Sequence, residues 1–312
     1  MTKASCASPS ALRLGGSTFG LLAILASVAL GCDAGTGGSD EDNTGGTGAG
    51  TGGTGGSDPG TGGTTTTGAP GFGTPNQVGS GSTTDRYHKT SVSRNGVNYF
   101  FMANGWGTNW QSHSLTWNGT AFTVVSLNGS QGSDYSPAGY PTMFCGHYSD
   151  SRSQQCGLPA AIGSITSLWT GWRWSPGSTP DTAQYNAAYD VWLSNSADVS
   201  GHSSFLMVWL RDPPGQQPAG ANNHVVNVDG VPGTWDVWTG SVNGKPIVNY
   251  VPRANADDIY AIEFDVMRFI NHAATEGYNL PGSHIISVAV GFEIWNGPVS
   301  NLVSEDFYVA VQ

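Results

Sequence analysis

A chain of 312 residues that is only 11% charged, with 46 glycines and 11 each of Trp, Tyr and Phe, has the make-up of an extracellular all-β protein, not a helical one. Its formal net charge of −11 argues against nucleic acid as a partner. That charge does not bear on neutral polysaccharides, which are recognised by stacking and hydrogen bonds.

Residues 1–32 read as a secretory signal. Lys3 and Arg13 precede an apolar run from Leu21 to Leu30, with no acidic residue before Asp33. The run ends at Ala29-Leu30-Gly31-Cys32, which resembles a bacterial lipoprotein processing site with Cys32 as the lipidated mature N-terminus, although Leu is more usual where Ala29 stands. The alternative is simple cleavage nearby and release. Both readings export the protein, either anchored at the cell surface or secreted, and membrane contact is expected only through the lipid.

Residues 33–84 are mostly Gly and Thr with scattered Asp, and Phe72 stands out as a large apolar side chain. Such a segment buries too little surface to offset its chain entropy, so it is expected to be a flexible linker. Its Thr-Gly-Gly repeats are low complexity and set no solenoid period. Cys6 falls in the signal and Cys32 at the lipid site, which leaves Cys145 and Cys156 to close a short disulfide loop in an oxidising compartment. Neither has a second ligand at a zinc-type spacing and the seven His are scattered, so no metal site is expected.

Residues 85–312 are long enough for one large domain. Segments rich in Val, Ile, Tyr, Phe and Trp predict strands over 92–104, 114–125, 167–174, 187–193, 203–210, 224–228, 234–240, 246–252 and 284–295. Turn signals such as Asn95-Gly96, Asn118-Gly119, Asp229-Gly230 and Asn243-Gly244 accompany them. Phe264, Met267, Phe269, Ile270 and Ala273 follow helical spacing, with Gly277 as a stop, and predict one helix over 264–274 packed on the outer sheet. Two antiparallel sheets with one packed helix make a β-jelly roll, an all-β sandwich whose concave face offers a groove.

Glu293 is the most informative residue, a lone carboxylate between Phe292 and Trp295 in Val288-Ala-Val-Gly-Phe-Glu-Ile-Trp-Asn-Gly297. Loss of hydration there disfavours the charged form and raises the pKa toward the range of a general acid. The bland reading is a rim carboxylate of a β-protein.

In collinear order, Tyr140-Pro-Thr-Met-Phe-Cys-Gly-His-Tyr148, Cys156-Gly-Leu-Pro159, Ala188-Tyr-Asp-Val-Trp-Leu193, Leu206-Met-Val-Trp-Leu210, Thr234-Trp-Asp-Val-Trp238, Phe264-Asp-Val-Met-Arg-Phe269 and Gly291-Phe-Glu-Ile-Trp295 resemble glycoside hydrolase family 12. The resemblance implies a jelly-roll endo-β-1,4-glucanase or xyloglucanase, a retaining mechanism with two glutamates, and Glu293 as acid/base. It places the nucleophile at the first position of a Glu-(Ile/Leu)-Met-(Ile/Val)-Trp segment, which here reads Phe205-Leu-Met-Val-Trp209. A phenyl ring can neither attack an anomeric carbon nor stabilise an oxocarbenium ion as a carboxylate does. Asp190 matches a family aspartate that hydrogen-bonds the nucleophile. It either activates a water as a substitute carboxylate or remains as an auxiliary structural residue.

The resemblance also implies that Trp106, Trp209 and Trp295 line the cleft and stack on glucose faces, with His147 and Asn186 as hydrogen-bonding neighbours. Trp117, Trp192, Trp235 and Trp238 receive no role. Two functions compete: a β-1,4-glucan hydrolase impaired at Phe205, and a non-catalytic surface β-glucan-binding lipoprotein. A purely structural lipoprotein would need a blocked groove. The expected partner is a β-glucan polysaccharide or oligosaccharide, met by a monomer, with no metal or organic cofactor.

Overall fold

The computed structural model describes residues 68–131, 136–197, 201–253 and 256–312. The signal, Cys32 and the linker up to residue 67 lie outside the described residues. The last part of the segment expected to be linker belongs to the fold: Gln77–Val78 and Ser80–Thr83 are strands, paired to Lys89–Arg94 and Asn109–Asn118. Side chains supply what the composition hides. Phe72 packs edge-on against Tyr308 at 5.7 Å under the Arg173 guanidinium at 4.5 Å, and its carbonyl accepts from Arg94. Gln77 donates to and accepts from Thr120.

The chain is a two-sheet sandwich. One sheet runs, neighbour to neighbour, through Gln77–Val78, Lys89–Arg94, Val97–Met102, Thr142–Tyr148, His284–Gly291, Ala187–Ser194, Ser204–Arg211, Lys245–Pro252, Trp235–Val242 and Ala221–Val226. The other runs through Gln184–Tyr185, Ile294–Asn296, Ala121–Ser130, Val299–Val311, Leu168–Ser175 and Ala261–Asp265, with Asn109–Asn118 added beside Ala121–Ser130. Pairing is antiparallel as expected except between Ser204–Arg211 and Lys245–Pro252, which run parallel. The predicted strand over 92–104 is a hairpin, because Asn95 and Gly96 both adopt positive φ and turn the chain. The long strand Val299–Val311 has no counterpart among the sequence expectations.

In the first of the two sheets, the inner sheet, alternation of side chains gives each strand two faces; the second of the two is the outer sheet. Tyr189, Val191 and Leu193, with Leu206, Val208 and Leu210, point into the core between the sheets, where Trp172, Trp174 and Phe292 are fully buried. Burying one such large side chain contributes about 2 to 3 kcal/mol, so this layer dominates the fold. The helix spans Val266–Thr275, starting later than expected because Phe264 completes a strand and Asp265 caps the helix by accepting from Met267 N at 3.1 Å. Phe269 packs against Trp235 and Tyr250 of one sheet and Phe264 of the other, so the helix contacts both sheets. The Cys145–Cys156 disulfide is present, with a Cα–Cα distance of 5.9 Å.

Candidate functional site

The opposite face of the inner sheet forms a groove of about 470 Å³. Its floor follows from register. Asp190 lies opposite Met207, Met207 beside Asn249, and Asn249 opposite Trp238; on the other side Asp190 faces Ala289, which faces Phe144. One row of side chains thus crosses the concave face. Two residues along, Trp192 lies opposite Phe205, and Phe205 lies beside Ile247.

Glu293 enters this groove from a change of sheet. Its chain leaves the inner sheet at Gly291, where a Cβ would lie 2.2 Å from the Pro141 carbonyl oxygen, and joins the outer sheet at Ile294. Phe292 turns into the core and Glu293 turns the other way, so the two aromatic neighbours do not sandwich the carboxylate as the sequence suggests. Only Trp295 shares the groove with it. Asn186, fully buried, locks the segment: its N–H donates to the Glu293 carbonyl at 2.9 Å, its Oδ1 accepts from Glu293 N at 3.0 Å, and its Nδ2 donates to the carboxylate. Burial pushes the Glu293 pKa up to about 8; the Asn186 hydrogen bond pulls the other way, and the nearby Asp190 charge adds to the rise. At neutral pH the group is protonated and able to donate.

Asp190 is 7% exposed. Its Oδ2 accepts from Tyr148 Oη at 2.9 Å and Trp192 Nε1 at 2.8 Å, while its Oδ1 has no hydrogen-bond partner among the described residues. Burial raises its pKa to about 6 against the pull of those two hydrogen bonds. Phe205 is packed edge-on against Trp192 at 5.8 Å and lies 4.2 Å from the His202 ring. Among the described residues lining the groove, Asp190 and Glu293 are the only carboxylates.

Trp106, Trp209 and Trp295 all line the groove, and Trp209 and Trp295 touch at 5.8 Å. Two expected ligand contacts do not. His147 lies on the strand Thr142–Tyr148 in alternation with Phe144 and Tyr148, so its side chain leaves on the face away from the groove, and burial and Arg152 lower its pKa. Asn186 has no exposed surface and reaches the site only through Glu293. Residues without a prior role that line the groove are Tyr140, Tyr148, Met207, Trp238 and Asn249, with the loop Gly215–Gly220 as one wall. Tyr140 and Tyr148 sat within a quoted motif, but only register tells which of its side chains face inward. Among the described residues no group of three or more His, Cys, Asp or Glu is arranged to hold a metal ion.

Residues 97–312 match the profile of glycosyl hydrolase family 12. The chain is 22% identical over 152 residues to the xyloglucan-specific endo-beta-1,4-glucanase A of Aspergillus niger, a match covering 48% of this chain and 61% of that protein. It is 27% identical over 143 residues to the probable cellulase Cel12b of Mycobacterium tuberculosis, covering 46% and 89% of the two chains. Among solved structures it is similar to endoglucanase cel12A from Rhodothermus marinus, with a TM-score of 0.64, 27% identity, and coverage of 74% and 98%.

Proposed function

We propose that this chain, which belongs to glycosyl hydrolase family 12, is an exported protein whose groove binds β-1,4-glucan of the cellulose or xyloglucan type and whose hydrolysis is impaired. The match spans 61% of the length of the Aspergillus xyloglucanase. The observation that carries the reading is a groove lined by Trp106, Trp209 and Trp295 around Glu293, with the Phe205 ring also in its lining; the family resemblance takes Phe205 as the nucleophile position.

Glu293 has what an acid needs: it is protonated near neutrality, partly buried, and fixed by Asn186. Retention would then need a carboxylate on the strand Ser204–Arg211 facing the groove, and Phe205, Met207 and Trp209 supply none. Loss of such a nucleophile costs several orders of magnitude in rate. Asp190 Oδ1, the oxygen without a partner, belongs to the residue the family pairs with its nucleophile, which is consistent with that partner having been replaced. Asp190 is also the one groove carboxylate able to act as base on a water. Such a step would let Glu293 protonate the leaving oxygen while water attacks from the other face, giving inverted product.

The second reading, a non-catalytic β-glucan-binding lipoprotein, is favoured by the same residue. Asp190 is 7% exposed and its Oδ2 is held by both Tyr148 and Trp192, contacts that suit a structural hydrogen-bonding residue. Parallel measurement of affinity and hydrolysis on the same cello- and xyloglucan oligosaccharides separates the two. Binding with slow, inverting turnover supports the first, and binding without turnover the second. Rapid retaining hydrolysis would refute the assignment of Phe205. Lipidation of Cys32, by analogy with the Leu30-Gly31-Cys32 sequence, would tether either form to the cell surface.

A further inference from the structure

We infer that Asn249 is a ligand-binding residue, and that the groove between Met207 and Trp238 is a subsite in which its Oδ1 accepts a hydrogen bond from a sugar hydroxyl. This rests on the reading of the groove as a glucan site.

The floor row Phe144, Ala289, Asp190, Met207, Asn249, Trp238 contains two polar residues, Asp190 and Asn249. Asn249 is 1% exposed and lines the groove. Its neighbours along the strand on the same face, Ile247 and Val251, are apolar, so the sheet does not require a polar side chain there. The amide orientation is fixed by one contact: Nδ2 donates to the Ala219 carbonyl at 3.1 Å, and a carbonyl can only accept. Oδ1 is therefore the atom left over, and it has no partner among the described residues. A buried acceptor without a donor costs about what a hydrogen bond is worth, and an apolar residue of the same shape would avoid that cost. A hydroxylated ligand lying along the row supplies the donor.

Other groove residues show the same pattern. Trp106 Nε1, Trp209 Nε1 and Asp190 Oδ1 are also buried without partners among the described residues, two donors and an acceptor on side chains that line the groove, as a polyhydroxylated neutral ligand needs. Trp238, opposite Asn249, brings a ring to the same subsite. Asn249 stands two strand spacings from Asp190, about 10 Å, so a ligand engaged at Asp190 and Glu293 must extend beyond a single sugar ring to reach it.

The test uses the full chain and cello-oligosaccharides of three to six units. Asn249→Leu is expected to weaken binding of cellohexaose about tenfold, the worth of one hydrogen bond, and to flatten the gain in affinity with chain length seen for the wild type. Equal affinities of wild type and variant for cellohexaose would overturn the inference. Because the variant also loses the Ala219 contact, a second measurement uses unaltered protein: the side-chain amide signal of Asn249 in a nitrogen-15 NMR spectrum. It is expected to shift on saturation with cellohexaose, and no shift at saturation would overturn the inference on its own. Absence of binding by the wild type is a distinct outcome, which removes the glucan reading and the subsite with it.

Discussion

Asn186 and Glu293 hold each other by three hydrogen bonds, two through the backbone of Glu293 and one to its carboxylate. The pair joins the start of one inner strand to the point where another crosses between sheets, so the Glu293 carboxyl group is held by the fold.

Asn186→Leu is therefore expected to destabilise the domain by about 1 to 3 kcal/mol, since it strands the Glu293 N–H and carboxylate. It should also raise the Glu293 pKa further, because the bond it removes favours the charged form. Thermal unfolding gives the first effect and a carbon-13 carboxyl titration the second.

The pKa shifts fix a pH dependence. Glu293 is raised from 4.5 to about 8, so between those values the native state holds a proton that the unfolded state has lost. Stability from this group is complete below the unfolded pKa and is lost as pH rises through the folded one. Asp190, raised to about 6, acts the same way at lower pH. His113 and His202, both lowered to about 4 by burial first, oppose it below 6.5, since their folding contribution is lost as pH falls. The window from 6.5 to 8 belongs to Glu293. There the wild-type melting temperature should fall with rising pH, and the slope should flatten in Glu293→Gln. An unchanged slope in the variant would contradict the assignment.

Cys145 and Cys156 close a loop with a sequence separation of 11 between the strand Thr142–Tyr148 and the turn after Ser151–Arg152. Replacing both with Ala should cost about 2 to 3 kcal/mol, chiefly by freeing the unfolded chain. Denaturant midpoints of the oxidised, reduced and Ala forms should place the last two together and below the first.

For the anchor, Cys32→Ser is expected to block lipidation and move the protein from the detergent phase to the aqueous phase of a detergent extract. Identical partitioning of wild type and variant would exclude the lipoprotein reading.

The jelly roll was legible because its strands are dense in β-branched and aromatic residues and its turns carry Asn-Gly and Asp-Gly pairs. That Glu293, Trp209 and Trp295 line one groove was legible from the collinear motifs that contain them. The docking of Phe72 was hidden by composition, since one aromatic in a Gly/Thr tract gains its value only from the Tyr308 and Arg173 that meet it. His147 was misplaced because a motif names residues without their facing. Asn249 and Trp238 were missed because they join the site through the parallel pairing of Ser204–Arg211 with Lys245–Pro252, which no local pattern announces. The raised pKa of Glu293 was anticipated in direction and in its main cause, loss of hydration, but Phe292 turns into the core and takes no part in it, and the Asp190 charge adds to the rise.

The most direct test of the central claim is Phe205→Glu, assayed beside the wild type on soluble β-glucan and cello-oligosaccharides with the product anomer read by NMR. If Phe205 occupies the nucleophile position, the wild type binds with little turnover, while the variant gains hydrolysis by at least an order of magnitude and releases product of retained configuration. Wild-type turnover that inverts configuration and is abolished by Asp190→Asn, with binding kept, would assign the residual activity to Asp190. Vigorous wild-type hydrolysis with retention would contradict the claim, because it requires a carboxylate nucleophile where Phe205 stands.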